Sequence, residues 1–102
     1  MSMYAVDAVR MNAASGRVEK VRWGKLDYSG MHWELEPMEG DVAEVVDKIQ
    51  SGDEVRAAFP VGNFTVLGPR LEVSRSRRGE EEIEVEDADE HPGRTISDMP
   101  TF

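Results

Sequence analysis

The apolar positions of this chain take up a helical period once. Val42, Val45, Val46 and Ile49 recur at spacings of three and four, which is one stripe of an α-helix. Asp41 is placed to cap the first turn, with Glu44 three residues on as in a capping box, and Gly52 suits the left-handed position that closes a helix. The spacing therefore predicts a helix over 41–51. Fully burying each residue of the stripe contributes roughly 1.5–3 kcal/mol, so this helix is expected to cover a sheet.

Elsewhere the pattern alternates. A first strand is predicted over 3–11, with Tyr4, Val6 and Ala8 on one face and Ala5, Asp7 and Val9 on the other. The turn cluster Asn12-Ala13-Ala14-Ser15-Gly16 leads to a second strand over 17–26. There Val21 and Trp23 oppose Lys20 and Arg22, and Val18 breaks the alternation, which implies a bulge at an unassigned position. After Tyr28-Ser29-Gly30, residues 31–36 keep a period of two. This directs Met31, Trp33 and Leu35 to the core and His32, Glu34 and Glu36 to water, with Pro37 expected to end the strand.

Two hairpins follow the helix. Gly62-Asn63 is a two-residue turn signal that pairs Phe59 with Val66 and Val61 with Phe64 on one face. The strands over 70–76 and 80–86 flank Arg77-Arg78-Gly79. A two-residue loop would set Val73 against Glu84 and separate the apolar residues onto opposite faces. A three-residue loop ending in Gly79 pairs Val73 with Ile83, Leu71 with Val85 and Arg75 with Glu81, so turn chemistry and packing agree on the longer loop.

These elements describe an α+β fold of mostly antiparallel strands, six or seven in number, curled towards a small OB-like or SH3-like barrel and covered by one helix. The expected core comprises Val6, Val21, Trp23, Trp33, Leu35, Val45, Val46, Ile49, Val55, Phe59, Val66, Val73 and Ile83. A length of 102 residues suits a single domain, assigned to 1–87. The remainder, 88–102, reads as a flexible acidic tail: nine acids and one base lie between Glu80 and Phe102, against twelve acids and eleven bases before them. The net charge of -9 therefore belongs to the last quarter of the chain, and generic polyanion binding by the whole protein is disfavoured. Within the tail, Ile96, Met99 and Phe102 are apolar anchors that either dock on the sheet or engage a partner.

Candidate chemistry is sparse. No cysteine is present, which excludes disulfides and thiol chemistry. No apolar run approaches the roughly 20 residues that cross a bilayer. The first residues lack the basic and apolar regions of a signal peptide, so a cytoplasmic protein without membrane attachment is expected. His32 and His91 stand apart, outside any metal-ligand spacing, and no metal or cofactor is expected. Glu34, Glu36 and Asp41 supply carboxylates, but alternation sends Glu34 and Glu36 into water together, where nothing separates their pKa values. No serine lies in a nucleophile elbow, and the glycines sit singly at turns rather than in a phosphate-binding loop. An enzyme is not expected.

Two basic features remain: Lys20, Arg22 and Lys25 around Trp23, and Arg75, Arg77 and Arg78 at a hairpin tip. Cations beside an aromatic ring suit single-stranded nucleic acid, where bases stack and phosphates are neutralised. Against this, Trp23 faces the predicted core, and Glu80, Glu81 and Glu82 lie across the turn from the arginines.

Tyr4, Val9 and Arg10; Val21, Arg22 and Trp23; Val45, Val46, Ile49, Gly52 and Asp53; and Arg94 with Thr95 give the chain a pattern that resembles a small bacterial family of unknown function. Its ending departs from that family, with Ser97-Asp98-Met99-Pro100 in place of a longer Asp-Asn-Leu-Leu run. The resemblance implies a fold family and no activity. The expected function is that of a non-catalytic protein-interaction or accessory module. The alternative is single-stranded nucleic-acid binding through the basic strand face, with the acidic tail competing for it.

Overall fold

The computed structural model describes residues 2–27, 32–62, 64–75, 78–87, 90 and 95–102. Six strands and one helix follow in the order β1 (Ser2–Met11), β2 (Val18–Asp27), β3 (Trp33–Asp41), α1 (Val42–Gln50), β4 (Val55–Val61), β5 (Phe64–Arg75) and β6 (Glu81–Val85). They form one sheet in the order β3-β2-β1-β4-β5-β6, with α1 packed on one face.

The helix begins and ends where its caps require. Asp41 is at once the last residue of β3 and the N-cap, with extended φ and ψ, and its backbone N–H donates to Glu44 Oε2 at 3.1 Å. At the other end Gly52 N–H donates to the Ile49 carbonyl and Asp53 N–H to the Lys48 carbonyl, which closes the last turn in a Schellman arrangement. Val45 and Val46 are buried, while Val42 and Ile49 pack at the margin of the same core.

That helix also decides strand direction. β1, β2 and β3 run antiparallel, α1 then reverses the chain, and β4 enters beside β1 in parallel, with Tyr4 opposite Val55 and Val6 opposite Ala57. The sheet is therefore mixed, not wholly antiparallel. It is also not closed into a barrel, because β3 and β6 remain separate edges and α1 fills the space between them. Side chains tie the β1–β2 turn to the far edge: Arg17 pairs with Glu80, just before β6, and with Glu82 within it.

Both predicted hairpin registers are present. Phe59 faces Val66 and Val61 faces Phe64, with Gly62 at φ 61°; Asn63 lies outside the described residues. Val73 faces Ile83, Leu71 faces Val85 and Arg75 faces Glu81, with Gly79 at φ 79°; Arg77 lies outside the described residues. The two hairpins share one long strand, which is why six strands are found. β5 pairs first with β4 and then with β6, bending where Gly68 and Pro69 bulge opposite Ala57. A Cβ on Gly68 would lie 2.6 Å from the Phe59 ring, so only glycine lets that ring cover the bend.

Bulges overturn the simple alternation in three strands. Asp7 is an extra residue in β1, so Val9, not Ala8, joins Tyr4 and Val6 on the helix face. Glu19 is the extra residue in β2, and it lets Val18 reach the same core as Val21. In β3, Glu34 separates Trp33 from Leu35: Trp33 packs on the far face with Met3, Ala5, Leu26 and Ala58, whereas Leu35 is 59 % exposed. Leu35 is thus not a core residue, and Met31 lies outside the described residues. Pro37 does not end the strand either. β3 is an edge, and Pro37 sits in a second bulge opposite Gly24, where its missing N–H costs no ladder bond.

Residues 95–102, expected in a flexible tail, are packed along β1. β1 and β4 separate after Val6, and Val9 then takes the final segment as a neighbour: its N–H donates to the Pro100 carbonyl at 2.9 Å and its carbonyl accepts Phe102 N–H at 3.2 Å. Met99 is only 4 % exposed within the main core. A backbone pair that would otherwise stay unpartnered and an apolar vacancy are filled by one segment.

Candidate functional site

The bulges of β3 place two apolar side chains on the helix side without covering them. Leu35 lies opposite Lys25, Met38 opposite Trp23, and Met38 is 71 % exposed. Together with Tyr4 and Trp23 they line a groove of about 510 Å³ that runs between the outer end of the sheet and the last two turns of α1. Tyr4 and Trp23 form its floor, with ring centroids 5.2 Å apart and planes tilted by 36°. Gly40 keeps that floor open, because a Cβ there would meet the indole Nε1 of Trp23 at 2.6 Å.

Charge is arranged unevenly around the groove. Lys48 from α1 and Lys25 from β2 hold their ammonium groups 5.4 and 5.8 Å from the Tyr4 ring centroid, within cation–π reach. Glu36 and Glu39 from β3 and Glu44 and Asp47 from α1 complete the lining. Glu39 is 3.7 Å from Arg10, whereas Glu36, Glu44 and Asp47 form no ion pair among the described residues. Chemically this is a surface for an apolar group: large side chains below, carboxylates at the rim. Among the described residues no group of three or more His, Asp or Glu is placed to hold a metal ion.

The basic residues proposed from the sequence do not gather into one surface. Lys20 and Arg22 alternate with Val21 and Trp23 and so project away from the helix, while Lys25 is on the helix side over Tyr4. Lys20 Nζ donates to Asp41 at 2.8 Å, and this hydrogen bond raises its pKa. Arg22 donates to both carboxylate oxygens of Asp7, at 2.9 and 3.2 Å, which raises its pKa likewise. At the far end of the sheet Arg75 Nη1 donates to the Gly79 carbonyl at 3.4 Å. Arg78 stands near Arg17, Glu80 and Glu82 in a surface depression at the β1–β2 turn. In sheet order β1 and β4 separate β2 from β5, while the turn that carries Arg78 comes round to the β1–β2 turn.

The apolar anchors of the last segment are committed within the molecule to different degrees. Met99 is buried, Ile96 packs against the main core, and Phe102 is 37 % exposed beneath the Arg10 guanidinium, 4.8 Å from its ring centroid. The groove itself is absent from the sequence reading. The one available signal was Met38, an apolar residue after Pro37 among acids with no place in the predicted alternation.

No family model, curated protein or solved structure matches the chain. Among the described residues, no helix is long and apolar enough to cross a membrane.

Proposed function

We propose that this chain is a non-catalytic protein-interaction module. Its groove takes an aliphatic or aromatic side chain presented by a segment of another protein. The observation that carries this reading is the exposure of Leu35 and Met38 beside the Tyr4–Trp23 floor. Burying each of these two side chains is worth roughly 1.5–3 kcal/mol, a gain this fold leaves unrealised. A second copy is a poor occupant. The β3 edge carries Glu34, Glu36, Glu39 and Asp41, so self-pairing would oppose carboxylates, and Pro37 interrupts the edge.

Single-stranded nucleic acid is the competing ligand. Its phosphates would first have to displace Asp41 from Lys20 and Asp7 from Arg22, and this weighs against it. A cytoplasmic setting belongs to the same proposal. Trp23 is a reporter within the groove, so titration of the intact chain by Trp fluorescence tests the reading. The probes are a peptide with a central Leu-Phe and a short single-stranded oligonucleotide, each at low and high salt. Peptide binding that is lost in Met38→Ser supports the module. Oligonucleotide binding that collapses with salt, without peptide binding, refutes it in favour of phosphate recognition.

A further inference from the structure

The acids beside the groove specify its occupant further. Resting on the interaction-module reading, we infer that the groove selects a cationic segment, one in which basic residues flank the apolar anchor. Lys48 follows Glu44 by four residues, the spacing of a helical ion pair, yet it forms none and directs its ammonium over Tyr4 instead. Glu44 uses Oε2 to accept the Asp41 N–H, and Asp47 and Glu36 are exposed. Three carboxylates from two elements thus border an apolar concavity without a basic partner among the described residues. The apolar floor of Tyr4, Trp23, Leu35 and Met38 screens their field less than water on every side would, so it extends into the groove.

The two lysines do not reverse this sign. Both are engaged with the Tyr4 face, and the three carboxylates without an ion pair among the described residues, Glu36, Glu44 and Asp47, still outnumber them. Basic side chains on either side of an inserted Leu or Phe would meet Glu36 on the strand side and Glu44 and Asp47 on the helix side. Acidic flanks would be repelled at both.

The test is calorimetry on the unmodified chain with four peptides. These are acetyl-Gly-Lys-Lys-Leu-Phe-Lys-Lys-Gly-amide, its counterparts with every Lys replaced by Ser or by Glu, and the lysine peptide with Leu-Phe replaced by Ser-Ser. The lysine peptide is expected to bind about tenfold more tightly than the serine peptide, a margin that several partly exposed charge pairs supply. The glutamate peptide is expected to be weakest, and the margin should shrink at high salt and in the double variant Glu36→Gln, Asp47→Asn. Equal affinity of the lysine and serine peptides overturns the cationic preference and leaves the groove reading intact. Equal affinity of the lysine peptides with and without Leu-Phe, or no binding by any peptide, overturns the groove reading itself.

Discussion

Two methionines of this chain have the same chemistry and opposite surroundings, which makes their substitution a direct test of the fold. Met99 is 4 % exposed among Val9 and the other main-core residues, whereas Met38 is 71 % exposed in the groove. Truncating a buried Met to Ala costs about 2–5 kcal/mol through lost transfer energy and the cavity left behind. For Met99→Ala the lower half of that range, about 2–3 kcal/mol, is expected, because the final segment can shift and partly close the space. Release of residues 95–102 is an alternative to a cavity, so the cost cannot exceed that of deleting this segment. Met38→Ala removes little buried surface and should stay within about 0.5 kcal/mol of the unmodified chain. Urea unfolding followed by Trp fluorescence measures both. With a slope of about 1.5 kcal/mol per molar, Met99→Ala lowers the midpoint by about 1.3–2 M and Met38→Ala leaves it in place. Equal midpoints for the two variants would refute the docking of the last segment, and a large loss from Met38→Ala would refute the open groove.

Other outcomes follow from single contacts. Gly68→Ala places a Cβ 2.6 Å from the Phe59 ring and should cost about 1–3 kcal/mol by urea unfolding, with Phe59→Ala in the same chain relieving part of the clash. Asp41→Ala removes the N-cap side chain together with the partner of Lys20 and should cost about 1 kcal/mol, while Asp41→Asn keeps a capping side chain, loses only the exposed ion pair, and should be close to the unmodified chain in the same assay. The Thr95 backbone N–H and hydroxyl both donate to Asp98 and hold its carboxyl below the usual carboxylate range. A depressed acid stabilises above its unfolded pKa and loses that contribution as pH falls through the folded one. The Thr95–Asp98 contact should therefore persist down through the ordinary carboxylate range and open only below it, as read from the Asp98 carboxyl chemical shift. A titration midpoint at or above that of an unstructured Asp would contradict the contact.

Legibility differed by element. The helix was readable because its period, its capping acid and its closing glycine all lie within a dozen residues of one another. The two hairpins were readable because turn length alone sets their register, and each had one register that kept apolar residues together. The edge strand was misread for a related reason. Trp33 and Leu35 are two residues apart, and an unbulged strand would put them on one face; only pairing with Lys25 and Leu26 shows that Glu34 is the extra residue. The candidate basic residues are divided because neighbours in sequence, Lys20 and Lys25, lie on opposite faces of β2.

The amino-acid order by itself determined what depends on local spacing: a helix over Val42–Gln50, two hairpins in register, and a chain without cysteine chemistry. Tertiary structure decided what depends on a neighbour. A bulge has meaning only against the strand it mismatches, so the face of Val9, Val18 and Leu35 was set by β1–β2 and β2–β3 pairing. The parallel entry of β4 followed from the helix reversing the chain, and the docking of Met99 from the opening that β1 and β4 leave after Val6. The groove arises from both, since Tyr4, Trp23, Leu35 and Met38 come from three strands and meet only where two bulges and one helix align them.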